Sequence, residues 1–525
     1  MHRPKESSFA LVRTVCKLRL MPAERTINPA LSARSEAQSA GLTNNKTRSG
    51  FFWPPSNILA ISIICILGVS LWFGCRNADF IKFDDLIHVD PRVLDLSFHD
   101  VFLKAPLQTY FPVTTLSYQF DRAAFSGWLP TWAMGARFMN YIYHSAAALL
   151  LWCIMLELGL TRLQSLFVAA VFAAHPMGCE SVCWISERKN ILAALFGFAA
   201  LLAWLKLEHS NWRIAATSCL YTLALMSKPS ALGLLPVFVL IELFGGRNGL
   251  AGRAPMNWTQ RPSWWLYTLL RIAALAALSA GSILMNLHTA TQSLIKPPGG
   301  SAFTALLTDL EIFVRYIGNL LAPFSLSFIY FVEPICSLSD PRVYEYGFAL
   351  MIIIAATVWI ASNRRRAAFG WLLFLSTLGP NSNFLAAIAF LMQDRFVYLG
   401  TGSFFLVVLE TFLGIRARFL DAHGKPFSFP LPCSSRLSMS VGVVYICVLV
   451  ILSSMRGMLW NDALALFHDA EIKQPQSGFP HFYVGESYAT AGKKLLKIPG
   501  ADKREIAAVY AMWQVEWHKS LECTI

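Results

Sequence analysis

Ten titratable residues stand out in a chain otherwise poor in charge: Asp84 and Asp85, His175 and Glu180, Glu187, Arg188 and Lys189, Lys228, and Asp394 with Arg395. Only 14% of the 525 residues are charged, while 55% are hydrophobic. A charge at the bilayer centre costs about 2.5–3.5 kcal/mol even on a lenient scale, so charges beside apolar segments need a reason. Asp84 and Asp85 follow Phe80, Ile81 and Phe83. Partial burial there would raise one carboxyl pKa toward that of a working general base. By residue type alone, such a pair is more commonly just solvated. Lys228 precedes Pro229 in a short turn. Its ammonium suits an anionic headgroup, although snorkelling is the commoner use of such a lysine. Arg395, at the start of an apolar segment, can hold a phosphate with its planar fork, or merely anchor that segment. His175 and Glu180 open a polar loop at a helix end, where a capping His and a surface Glu are the ordinary alternative.

The elements that must position these groups are membrane-spanning helices. A span needs roughly 20 apolar residues, because the hydrocarbon core is about 30 Å thick and each helical residue rises about 1.5 Å. Ser56 to Cys75 meets this with no charge. Further spans are expected at 136–157, 163–175, 190–206, 212–227, 229–244, 264–285, 346–362, 367–380, 396–414 and 437–455. Residues 312–331 are apolar but interrupted by Arg315 and Pro323, and are expected to lie at the interface. The first 52 residues carry nine Lys or Arg against three acidic residues and read as a disordered, basic cytoplasmic tail. By the positive-inside rule the N-terminus stays in the cytoplasm. Asn363-Arg364-Arg365-Arg366 and Arg416 with Arg418 also fall inside, and eleven spans put the C-terminus outside. The expected fold is an all-α polytopic membrane protein with about eleven transmembrane helices, and the ten residues above gather mostly on its outer face.

Several classes are excluded. A soluble enzyme does not have this composition. The net charge of +13 is split among loops and forms no single stripe, so no nucleic-acid partner is expected. The eleven cysteines are scattered, mostly in apolar segments where Cys acts as a small hydrophobe. Cys179 and Cys183 lack the second pair of a zinc site, and no metal cluster is legible. No Gly-rich phosphate loop, nucleophile elbow or His-Glu zinc motif occurs.

Residues 53–456 read as the transmembrane domain and 457–525 as a polar helical segment without a span. Val484-Gly485-Glu486-Ser487-Tyr488-Ala489 matches the core of a tetratricopeptide helix pair with Val in place of Leu. One such unit cannot bury its own face. It is therefore either part of a longer array or packed on the membrane domain.

The run His175-Pro176-Met177-Gly178-Cys179-Glu180-Ser181-Val182-Cys183-Trp184-Ile185-Ser186-Glu187-Arg188-Lys189-Asn190 resembles a signature of bacterial membrane proteins with C-terminal tetratricopeptide repeats. These are similar to the eukaryotic transmembrane and tetratricopeptide-containing O-mannosyltransferases of the GT-C glycosyltransferase superfamily. Phe83-Asp84-Asp85, Met226-Ser227-Lys228-Pro229 and Asp394-Arg395-Phe396-Val397-Tyr398-Leu399 agree in order, and the resemblance covers roughly residues 55–490. It implies an inverting transfer of a sugar, mannose in the first instance, from a polyprenyl-phosphate donor to protein Ser or Thr. Asp84 or Asp85 would be the catalytic base, with Asp84 favoured slightly. Lys228, Arg395 and Arg188 would meet the donor phosphate, and His175 and Glu180 would shape the sugar and acceptor pocket. No cofactor beyond the lipid-linked donor is implied, and the need for a divalent metal is left open. The expected location is the bacterial inner membrane with the site on its outer face. Phe111 and Asp90 depart from residues frequent in relatives. Two other classes remain: a non-catalytic scaffold binding a partner through its repeat segment, and a GT-C enzyme acting on lipids or glycans. A transporter is disfavoured, because it would place charges at the midplane.

Overall fold

A computed structural model of the chain describes residues 55–498 and 502–523, apart from positions 82, 105–109, 130, 208–209, 211, 253–261, 290–295, 362–363, 386–389 and 422–434. The expected basic tail, 1–52, lies outside the described residues. Among the described residues the regular structure is helical, with one isolated bridge between Ser126 and Leu129 and no strand. Ser56–Ile525 forms one compact unit.

The principal helices are α1 (Pro55–Cys75), α2 (Pro112–Phe125), α3 (Trp132–Glu157), α4 (Arg162–Ala174), α5 (Arg188–Lys206), α6 (Arg213–Ser227), α7 (Leu234–Leu243), α8 (Pro262–Thr289), α9 (Ala302–Leu321), α10 (Pro341–Ala361), α11 (Arg365–Leu378), α12 (Thr401–Asp421) and α13 (Ser435–Leu459). After them come α14 (Ala463–Lys473), α15 (Gly478–Leu495) and α16 (Lys503–Glu522). A helix occupies each of the eleven places where a span was expected. By length and apolarity, six qualify as spans: α1, α3, α8, α10, α13, and α5 with the turn before it.

A seventh arises if α4 and Pro176–Cys183 are counted as one span bent by 50°. The bend falls at His175-Pro176. A proline has no N–H to continue the ladder and pushes the residue before it out of the α region, and His175 sits at φ −74°, ψ 128°. The other four helices fall short by themselves. α6, α7 and α11 have 15, 10 and 14 residues, and 15 residues rise only about 22 Å. α12 is longer but carries Glu410, clamped by Arg364 at 2.9 Å and Arg366 at 2.8 Å. Among the described residues, length and composition by themselves support six or seven of the expected eleven spans.

The spanning windows of α10, α13 and α8 are only 0%, 11% and 17% buried, so their apolar side chains face outward, as lipid contact requires. Where helices meet, small residues let backbones approach. A Cβ on Gly74 of α1 would fall 2.6 Å from the Met458 nitrogen of α13. The apolar piece at 312–331 is half helix and half irregular. α9 starts on a Ser301–Thr304 capping box and stops before Pro323. Arg315 pairs with Glu311 at 3.1 Å and donates to the Phe331 carbonyl at 3.2 Å.

The expected boundary at 456–457 lies inside α13. The segment beyond it packs on the membrane part: Asp469 of α14 pairs with Arg456 at 3.1 Å, Lys473 donates to the Leu326 carbonyl at 2.8 Å, and the Phe331 amide donates to Gln474 at 3.0 Å. α15 and α16 pack as a pair where glycines let them approach: a Cβ on Gly485 would meet Glu516 and Trp513 at 3.5 Å, and one on Gly492 would meet Tyr510 at 2.9 Å.

Candidate functional site at the loop after the first helix

Two buried arginines hold the loop that follows α1. Arg137 of α3 donates to the carbonyls of Ala78, Asp79 and Cys183 at 2.5, 2.7 and 2.9 Å, tying the loop to the segment after the α4 bend. Arg188 was expected to meet a donor phosphate, but the structure places it elsewhere. Its fully buried guanidinium donates to Asn140 (2.6 Å), to the Ser117 carbonyl and hydroxyl (3.2 and 3.3 Å) and to the Ala136 carbonyl (2.7 Å), and it pairs with buried Asp121. All five N–H groups of a guanidinium are thus taken up by α2 and α3. Arg188 is a brace, with no donor left for a ligand.

The two adjacent aspartates differ sharply. Asp85 is fully buried. One oxygen accepts from the Ile81 amide at 2.9 Å, and the other from the Ser186 amide and hydroxyl at 2.9 and 2.5 Å. Burial pushes its carboxyl up, opposed by Arg137 and the Ser186 bonds. Asp84 caps nothing with its side chain, and among the described residues its carboxylate has no hydrogen bond or ion pair. Partial burial raises its pKa, with Lys189 and Arg395 opposing and Glu187 adding to the rise. The first carboxylate is available to accept a proton, whereas the second is occupied in fastening the loop to Ser186.

Beside Asp84 three cations converge on one carboxylate. Glu187 lies 2.9 Å from Lys189, 3.5 Å from Lys228 and 3.5 Å from Arg395, and accepts from Asn190 at 2.5 Å. Lys228 donates to Asn190 at 2.7 Å. The side chains of Lys189, Lys228 and Arg395 retain 15%, 13% and 9% exposure, so each still reaches open space. Burial is the main influence on Lys228 and lowers its ammonium to about 8, with Glu187 resisting.

Arg395 is oriented by Glu180, which pairs with its guanidinium and accepts its backbone N–H at 3.0 Å. Trp184 stands under it, 5.2 Å from the ring centre. Next to it, Asp394 accepts from the Tyr330 hydroxyl at 2.6 Å and faces Arg456 at 3.9 Å. Burial raises its carboxyl to about 7.

His175 is not part of this cluster. Its Nδ1 accepts from the Met177 amide at 3.2 Å and its Nε2 faces the Leu320 carbonyl at 3.0 Å, a pairing that fixes the proton on Nε2. It is the buried cap of the α4 bend. His88 is the imidazole that faces the cluster. It lies 5.4 Å from Phe111 ring to ring, and burial, then Lys189, holds its pKa down to about 3.

The expected residues Asp84, Lys228, Arg395 and Glu180 are brought together, and Asp85 lies beneath them. Glu187, Lys189 and Asn190 belong to the same site and were missed as site residues, although Glu187 and Lys189 stood in the charged run singled out by type. Residue type does not tell which members of Glu187-Arg188-Lys189 face the cluster. One metal-ligand-type grouping occurs among the described residues, Glu471, His481 and Glu516 in the C-terminal helices. Lys519, 2.7 Å from Glu516 and 3.6 Å from Glu471, already supplies its cation.

Taken together, the site is an unpaired carboxylate beside a cluster of cations that can hold a polyanion. No protein-family profile matches the sequence. The chain is similar to the protein O-mannosyl-transferase F38B6.6 of Caenorhabditis elegans, 21% identical over 452 residues that make up 81% of this chain and 59% of that protein. It is also similar to the protein O-mannosyl-transferase Tmtc2 of Drosophila melanogaster, 26% identical over 248 residues, or 44% of this chain and 25% of that one. The chain thus spans about three fifths or less of these curated relatives. Among solved structures it is similar to the archaeal oligosaccharyltransferase AglB from Archaeoglobus fulgidus in complex with an inhibitory peptide and a dolichol-phosphate. That likeness has 13% identity and a TM-score of 0.39, over 88% of this chain and 60% of that one, too loose to transfer residue roles.

Proposed function

We propose that this chain is an inverting membrane glycosyltransferase that moves a sugar, mannose in the first instance, from a polyprenyl-phosphate donor to a Ser or Thr hydroxyl of a protein. The observation that carries the reading is the unpaired Asp84 carboxylate next to Lys189, Lys228 and Arg395, while Asp85 is consumed in holding the loop. The similarity to two protein O-mannosyl-transferases supports the same class.

Asp84 accepts the hydroxyl proton as the acceptor oxygen bonds to the anomeric carbon. The bond from that carbon to the phosphate oxygen breaks on the opposite face, and the phosphate leaves with the electron pair. Charge grows on the leaving phosphate in the transition state, where preorganised cations help most. Glu187 and Glu180 hold the cations in place before the donor arrives, so little reorganisation remains at the moment of transfer. The site lies on the outer side of the membrane by the charge rule. A bacterial inner membrane is the location implied by the His175–Asn190 signature.

The test is transfer by purified full-length protein of mannose from polyprenyl-phosphate mannose to Ser/Thr peptides. Wild type transfers, Asp84→Asn loses at least about a hundredfold as expected for a general base, and Asp85→Asn loses folded yield instead. Equal transfer by wild type and Asp84→Asn would remove Asp84 as the base. No transfer from any of a panel of lipid-linked sugars would remove the enzyme reading.

A further inference from the structure

We propose that Tyr483 of α15 is a positioning residue of the Asp84 site, its ring forming with Phe467 of α14 the wall that shields Asp84 from water. The activity arm of this inference rests on the glycosyltransferase reading; the wall itself does not. It follows that α14 and α15 complete the site and are not a free partner-binding module.

Phe83 immediately precedes Asp84, and its ring is the centre of an aromatic cluster. Trp184, Phe328 and Phe390 lie 5.4, 5.6 and 6.0 Å from it, and Phe467 lies 6.5 Å away. The shortest contact is with Tyr483, edge to face at 4.9 Å. Tyr483 is stacked on Phe467 at 4.9 Å and 17°, and Phe479 of the same helix closes on Phe390 at 5.2 Å. Such ring pairs attract one another beyond the effect of their buried area. The footing of the wall is ionic: Asp469 lies between Arg456 at 3.1 Å and Lys473 at 2.8 Å. Trp184 joins the same cluster to the Arg395 guanidinium, so one aromatic layer supports both Asp84 and a cation of the candidate phosphate site.

The charged groups facing Asp84 are Lys189, Glu187 and Arg395, and the neutral Tyr483 hydroxyl lies near them. Burial outweighs them and raises Asp84. Removing the ring admits water, and the carboxyl falls toward its ordinary value and becomes a weaker base.

Two measurements on the full chain test this. In Asp84→Cys protein, labelling of the introduced thiol by a membrane-impermeant maleimide is followed by peptide mass spectrometry. Adding Tyr483→Ala should speed it by about tenfold, because water access governs the thiolate that reacts. Adding Tyr483→Phe, which keeps the ring, should not. Phe467→Leu, a milder change in the same wall, should accelerate labelling in between. Equal rates in all four proteins would overturn the proposal, whether or not the protein transfers sugar.

With active protein, Tyr483→Ala should lower kcat and move the acid limb of the pH–rate profile down by about one unit, with Tyr483→Phe unchanged. If Asp84→Asn abolishes transfer while Tyr483→Ala leaves the limb in place, the wall is refuted and the enzyme reading stands. If wild type transfers nothing, the enzyme reading falls and the maleimide rates alone decide the wall.

Discussion

Asp84 and Asp85 have the same chemistry and adjoining places, and the structure separates them by three hydrogen bonds. Ile81 and Ser186 claim Asp85, and Ser186 is remote in sequence, so residue type could offer only the pair. The same holds for Arg188 and His175. Both carry side chains suited to a ligand, and both have every polar atom committed to backbone or to buried partners. Glu180 was legible as a site residue but not in its role, which is to aim Arg395. Glu180→Gln keeps the shape and removes the charge. It should lower transfer by about tenfold to a hundredfold through a loosened Arg395, with helical content unchanged by circular dichroism. Unchanged single-turnover rates would mean that Arg395 needs no such guide.

Lys228 yields a pH dependence. Its folded pKa lies near 8, below the ordinary lysine value, so the ammonium is present below that pH and is lost as pH rises through it. Donor KM should therefore rise between about pH 7.5 and 9.5. In Lys228→Arg the guanidinium stays charged throughout, and the rise should flatten. A KM that is level in wild type over this range would take Lys228 out of phosphate binding.

At the scale of elements, the fold is legible in the sequence where length and apolarity decide and less so where packing does. α1, α3, α8, α10 and α13 are long, apolar and where expected. α6, α7 and α11 stand where spans were expected but are too short to qualify by length, and past the bend at His175-Pro176 the chain continues as helix to Cys183, where a polar loop was expected. The close approach of α1 and α13 was not foreseen, because it depends on which glycines face each other. Gly74→Val should overpack that crossing and cost about 1–3 kcal/mol, read as a lower Tm in detergent. Gly281→Val on α8, where a Cβ meets nothing within 4 Å, is the control and should leave Tm unchanged. Equal shifts in the two would mean that the crossing is plastic.

Over the whole molecule, the two alternatives for the C-terminal segment are separated by where its aromatic face goes. Phe467 and Tyr483 pack on Phe83 and Phe328 rather than standing free for a partner, and Phe479 reaches Phe390 with part of its ring still exposed. The sequence showed a helix pair that cannot bury its own face; only the structure shows what covers it. Truncation after Leu459 should therefore abolish transfer and lower Tm together, since it strips Trp460 from Trp184 and Phe328. A truncated protein with wild-type transfer would return the segment to the scaffold reading.

The start of α5 places opposite duties on consecutive residues. Glu187, Lys189 and Asn190 serve the cation cluster, while Arg188 between them is locked into α2 and α3. Each helical residue turns the chain by about 100°, so phase alone separates the ligand-facing side from the braced side. This stretch can accept substitutions of side chain but no change of length. One alanine inserted between Ser186 and Glu187 should exchange the two sides, aiming the brace at the cluster and burying the anion, and should cost both folded yield and transfer. The same insertion between Ser337 and Leu338, in an exposed loop, should cost neither.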